Sequence, residues 1–163
     1  MVEMTIFGLA MDEKNQAPVL ILKDLAGDRA LPIWIGAMEA MAISLALNKV
    51  DFDRPMTHDL LLLSIEQLGG RVTGVEIVRL TEGTFYAEIV VDQGGEQRRI
   101  DARPSDAISV AVRAEAPVRA AEAVLAEASV KSMEGYEEVL KTEEAEKWTK
   151  ELSKLDPDVK HKM

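Results

Sequence analysis

Ala42-Ile43-Ser44-Leu45-Ala46-Leu47 returns 65 positions later as Ala107-Ile108-Ser109-Val110-Ala111-Val112. Small and aliphatic residues without Gly or Pro read as helix in both places. Each copy follows a short strand-like segment, one ending near Ile35 and the other near Ile100. Outward from the repeat, the order strand, strand, strand, helix, helix runs over 2–69 and recurs over 71–128. In the first half the strands are expected at 2–11, 18–25 and 31–35, and the helices at 37–47 and 57–68. In the second half the strands are expected at 72–80, 84–91 and 97–102. A helix then runs from Pro104 to Arg113, and an alanine-rich one over about 121–128. Gly69-Gly70, Gly83 and Gly94-Gly95 punctuate these segments as turns. Two copies of so long a period are too few for a solenoid. The reading is therefore α+β: internally duplicated β-β-β-α-α halves, an antiparallel or mixed sheet, and one shared core. The segment 37–47 is apolar almost all round, so that helix is expected to be buried.

Residues 1–130 make one domain on this reading, and 131–163 form an appendage. In the appendage Tyr136, Leu140, Ala145, Trp148, Leu152 and Leu155 recur at three- to five-residue intervals between charges, until Asp156-Pro157. That spacing predicts a C-terminal amphipathic helix, packed on its own domain or on a partner. The aliphatic strands and this helix together suggest a homo-oligomer, most simply a two-fold dimer.

Composition narrows the function. The chain of 163 residues has a net charge of −10 and no cysteine. Disulfides, thiolate metal sites and cysteine nucleophiles are excluded. Broad, sequence-blind binding to a phosphate backbone runs on Lys and Arg and is disfavoured. No apolar run is long enough to span a membrane, and the start Met1-Val2-Glu3-Met4 lacks a basic signal-peptide opening. A cytoplasmic protein without a membrane partner is the expectation. No phosphate-cradling glycine loop or Gly-x-Ser-x-Gly elbow occurs, and no organic cofactor is expected.

Two polar knots carry the chemistry. Arg103-Pro104-Ser105-Asp106 opens the second repeat helix. Pro104 suits a first-turn position, where no intrahelical N–H bond is lost. Ser105 or Asp106 can cap the free N–H groups. A helix start, a carboxylate and a planar cation suit a phosphate; equally they make a capped core helix with a structural Arg–Asp pair. Arg54-Pro55-Met56-Thr57-His58-Asp59 is the second knot. Thr57 can cap the helix, His58 leans toward the core at four- and seven-residue spacing from Leu62 and Ile65, and Asp59 points away toward Glu66. Glu39 is the only charge between Gly36 and Asn48, so it sits at an exposed helix start or faces a cation. His161 is the one other histidine, so a multi-histidine metal site is not expected. Under the repeat offset Asp106 corresponds to Met41, Ser105 to Ala40 and Pro104 to Glu39. The scaffold is duplicated but its polar groups are not, which fits one specialised site per chain.

Four motifs in order resemble the bifunctional nuclease domain family. They are Leu31-Pro32-Ile33-Trp34-Ile35-Gly36-x-x-Glu39-Ala40, Arg54-Pro55-x-Thr57-His58-Asp59-Leu60, Gly83-Thr84-Phe85-Tyr86-Ala87, and Asp101-Ala102-Arg103-Pro104-Ser105-Asp106-Ala107-Ile108. The resemblance covers about residues 3–130 and implies cleavage of both DNA and RNA. Under that implication His58, Arg103 and Asp106 are candidate catalytic groups, with His58 as general base. Arg54, Arg103 and Ser105 are candidate substrate contacts. Glu39, Asp59, Asp101 and Asp106 are candidate ligands for Mg²⁺ or Mn²⁺, which would supply positive charge that an acidic protein lacks. The other function class is a non-enzymatic oligomeric module that binds a small anion or a protein partner at the same knots.

Overall fold

The structure, a computed structural model, describes residues 1–12 and 14–131. Its elements are β1 (Val2–Asp12), β2 (Ala17–Asp24), β3 (Ala30–Trp34), α1 (Ala37–Leu47), α2 (Thr57–Gln67), β4 (Gly70–Thr81), β5 (Thr84–Gln93), β6 (Glu96–Ala102), α3 (Pro104–Ala114), β7 (Val118–Ala120) and α4 (Glu122–Ala128). The fold is α+β with one mixed sheet in the order β3-β2-β1-β7-β4-β5-β6. Each half contributes an antiparallel three-stranded meander. The tight β4–β5 and β5–β6 hairpins turn through Glu82-Gly83 and Gly94-Gly95, all four at positive φ. That is the turn whose twist matches the strands, and glycine enters it without steric cost.

β7 joins the two meanders, antiparallel to β1 and parallel to β4. β1 and β4 therefore run in opposite directions, and the meanders are related by an approximate two-fold about the sheet normal. The expected β-β-β-α-α order holds in the first half and is interrupted in the second, where β7 lies between α3 and α4. Three residues are too short to show a period. They form a strand because β1 and β4 each offer an open edge, and Val75 N–H donates to Pro117 O at 2.9 Å. The repeated Ala-Ile-Ser segments fall in α1 and α3, which pack against each other.

The four helices of the described residues share one core with the inner sheet face: Ala40 and Ile43 of α1, Ile65 of α2, Ile108 of α3 and Leu125 of α4 lie against Leu20, Leu22, Val75, Ile77, Ala87 and Ile89. Two helices are less covered than their sequences predict. Met38 and Leu47 of α1 are exposed, because its packing on β2 and α3 uses one side. In α2 only Ile65 is buried, and Leu60, Leu61, Leu63 and the following Leu68 are exposed. The amphipathic helix expected over 131–163 lies, apart from Lys131, outside the described residues. Among the described residues no helix is long and apolar enough to cross a membrane.

Candidate functional site

The first turns of α1, α2 and α3 meet. Gly36 precedes α1 and puts Glu39 in its first turn. Met56 precedes α2 and puts His58 at its second residue. Arg103 is the residue before α3, in extended conformation with Pro104 next, and Asp106 follows in the first turn. These polar side chains come together because each helix leaves a loop or strand at the same end of the helical layer.

Asp106 is the hub. Arg103 Nε donates to Asp106 Oδ2 at 2.6 Å, and Arg103 Nη2 donates to Oδ1 at 3.1 Å. His58 Nε2 lies 2.9 Å from Oδ1 of the same carboxylate. The second arm of the guanidinium, Nη1, donates to Glu39 Oε1 at 2.9 Å. Burial by itself would raise the Asp106 pKa, but hydrogen bonds from Arg103 and then His58, with their charges, outweigh it and hold the carboxyl below its usual range. The two carboxylates in turn raise the pKa of Arg103 further. An ionised Asp106 can only accept, so Nε2 donates to it, and in the neutral ring Nδ1 then presents its lone pair. Among the described residues nothing hydrogen-bonds to Nδ1. Arg103 is 64% exposed, so its guanidinium is reachable from solvent.

The structure brings together four of the residues expected from sequence, Glu39, His58, Arg103 and Asp106. It separates or redirects the others. Asp59 does not face Glu66. Its Oδ2 accepts the Met56 N–H at 2.9 Å, and its Oδ1 accepts from Arg113 Nε. Asp59, rather than Thr57, thus closes the start of α2. Arg113 also donates to Ser109 O at 2.9 Å and is 11% exposed. Sequence reasoning missed Arg113, since a base in the last turn of a helix reads as a dipole complement. Asp101 pairs with Glu88 across β6 and β5, one register step from the inward pair Ile89–Ile100. Successive strand residues alternate faces, so Asp101 leaves the sheet on the side away from the helices. Ser105 is 5% exposed, too deep to meet a substrate, and neither it nor Asp106 caps α3. Asp106 is instead committed to Arg103 and His58. Arg54 is exposed in the segment before α2, and among the described residues it makes no ion pair.

The four carboxylates expected to hold Mg²⁺ or Mn²⁺ do not form one donor set. Asp101 is across the sheet, Asp59 is bonded to Arg113, and Arg103 lies between Glu39 and Asp106. Among the described residues no three of His, Asp and Glu gather as they would around a metal ion. This arrangement does not fit a metal held by those four residues. What it can do is hold an imidazole in one tautomer beside an accessible guanidinium, at three positive helix ends.

A family model described as the bifunctional nuclease domain matches residues 20–133. An uncharacterized protein of Mycobacterium tuberculosis is 40% identical over 160 residues, covering 96% of each chain. Bifunctional nuclease 2 of Oryza sativa subsp. japonica is 26% identical over 131 residues, 78% of this chain and 40% of that protein. Bifunctional nuclease 2 of Arabidopsis thaliana is 28% identical over 108 residues, 64% of this chain and 32% of its own.

Proposed function

The chain belongs to the bifunctional nuclease domain family, and we propose that it hydrolyses phosphodiester bonds of DNA and RNA where α1, α2 and α3 begin. The observation that carries this reading is the His58–Asp106–Arg103 chain of hydrogen bonds. His58 Nδ1 takes a proton from the attacking water as its oxygen bonds to phosphorus. Asp106 stabilises the imidazolium formed. Arg103 exchanges Glu39 for a non-bridging phosphate oxygen and offsets the charge that develops there. Arg54, exposed in the segment before α2, is the second candidate cation for the phosphate backbone. As the bond from phosphorus to the leaving oxygen breaks, that oxygen takes a proton from solvent on the opposite side, and His58 afterwards returns its own proton to water.

This route runs on protein groups, with Mg²⁺ or Mn²⁺ not needed as a bound ligand of Glu39 and Asp106. With a net charge of −10, contact with nucleic acid is local, through few phosphates. A two-fold dimer through the exposed Leu60 and Leu63 of α2 completes the reading, since exposed apolar side chains on one helix suit a self-complementary contact. The second reading, an anion- or partner-binding module, draws on the double pairing of Arg103 with two carboxylates.

Purified protein, with an Arg103→Ala/Asp106→Ala variant prepared identically, separates the two on single-stranded DNA and RNA. Cleavage by the wild type and its loss in the variant support hydrolysis at the knot. Equal cleavage by both places the activity elsewhere. No cleavage by the wild type, with or without Mg²⁺ or Mn²⁺, leaves the binding module.

A further inference from the structure

Between Thr57 and Ser64 no residue of α2 is buried, and of its leucines only Leu62 packs partly against the core. Apolar contact therefore holds the end of α2 that carries His58 only weakly. Polar contacts supply the hold. His58 Nε2 meets Asp106, and the next residue, Asp59, meets Arg113. Asp106 and Arg113 are both on α3, about 10 Å apart along its axis, and consecutive residues of a helix point about 100° apart. Two such anchors stop the first turn of α2 from sliding along α3 and from rotating about its own axis.

Arg113 does more than pair with Asp59. Its Nη1 donates to Ser109 O at 2.9 Å and its Nη2 to Ala42 O at 3.4 Å. One guanidinium thus touches α1, α2 and α3, the helices whose first turns form the knot. All its nitrogens are taken by protein acceptors, and its side chain is 11% exposed, so it is not a phosphate contact. Under the 65-residue offset of the repeated segments, Arg113 corresponds to Asn48 and Ser109 to Ser44. Asn48 Nδ2 donates to Ser44 O at 2.9 Å, the same bond to the carbonyl four residues back. That bond closes a helix end in both places. The bonds to Asp59 and Ala42, on the neighbouring helices, are what the arginine adds.

We infer that Arg113 is a positioning residue: through Asp59 it seats the first turn of α2 so that His58 Nε2 meets Asp106. It touches neither substrate nor the reacting atoms. The kinetic consequence rests on the hydrolysis proposed above, whereas the placement of His58 does not.

Solvent exchange of the His58 Nε2–H proton reads that placement, by NMR at about pH 8, where an ordinary imidazole is neutral. A His161→Gln background leaves His58 as the sole histidine. Arg113→Leu should speed the exchange by roughly tenfold or more. Arg113→Lys, which keeps the charge but not the fork, should fall between. Val124→Ala, a core truncation in α4, should leave the rate unchanged although it destabilises the protein. On a single-stranded oligonucleotide, Arg113→Leu should lower kcat by roughly tenfold or more and leave KM unchanged. An unchanged exchange rate in Arg113→Leu, or equal acceleration in Val124→Ala, would overturn the proposal, as would a raised KM with kcat intact. Should Arg113→Leu fail to fold, Arg113→Lys decides, and a wild-type exchange rate there overturns it. If no protein of the set cleaves, the hydrolysis reading fails, and the exchange rates still decide the role of Arg113.

Discussion

At the scale of single residues, Asp106 is the hub of the proposed chemistry and carries a pH dependence. Its folded-state pKa is depressed below the ordinary 3.8, because Arg103 and His58 outweigh the opposing effect of burial. The stability it contributes is therefore fully present above the unfolded pKa and is lost as pH falls through the lower folded value. Urea midpoints of wild type and Asp106→Asn, followed downward from pH 6, should differ at the start and converge below pH 3.8. A gap that stays constant to the lowest pH would mean that the carboxylate charge is not what holds the knot. Arg113 gives a second prediction. Arg113→Leu leaves the Asp59 carboxylate with only its backbone donor and should cost about 1–3 kcal/mol in urea unfolding. Glu39, His58, Arg103 and Asp106 were legible because all four lie at helix starts, where apolar periodicity fixes where the turn begins. Asp59 and Asp101 were not, since one depends on a partner 54 residues away and the other on a strand register.

At the scale of elements, two glycines test how the helices are seated. Gly36 has an ordinary extended conformation, φ −77° and ψ 161°, so alanine is unstrained there. The added Cβ would overlap only the Glu39 carboxylate, the far end of a flexible side chain. Gly36→Ala should keep its melting temperature within about 2 °C while freeing one arm of Arg103. If Glu39 competes with phosphate for that arm, KM for an oligonucleotide falls and kcat stays. A raised KM would show that Glu39 holds Arg103 in place for substrate. Gly70, at the start of β4, is the contrast. A Cβ there would meet Val91 Cγ1 at 2.8 Å, Ile65 Cγ2 at 3.0 Å and Ile65 O at 3.1 Å. Gly70→Ala should destabilise by roughly 1–3 kcal/mol, because core and backbone must both move. The strands and helices flanking the two Ala-Ile-Ser segments were readable from period and turn residues. β7 was not, because Val118-Arg119-Ala120 becomes a strand only where two distant strands leave edges to fill.

At the scale of the whole molecule, two three-stranded meanders on either side of β7 form the scaffold, and the proposed site uses groups that the repeated segments do not share. The α+β class followed from the element order. The sheet order, with both meanders running outward from β7, required long-range pairing that no local pattern carries. Assembly is testable at this scale. Light scattering at micromolar concentration should exceed the 17.9 kDa of one chain. Leu60→Glu/Leu63→Glu, on the exposed side of α2, should return it to that mass. A wild-type monomer would remove the dimer from the reading. The most direct test of the central claim is cleavage of single-stranded DNA and RNA in EDTA by wild type and Asp106→Asn, purified side by side. The predicted result is that wild type keeps its activity without free divalent metal, while the variant, still folded, loses roughly 10²–10⁴-fold. Activity that vanishes in EDTA and returns with Mg²⁺ or Mn²⁺, or an Asp106→Asn protein as active as wild type, would contradict hydrolysis by His58, Asp106 and Arg103.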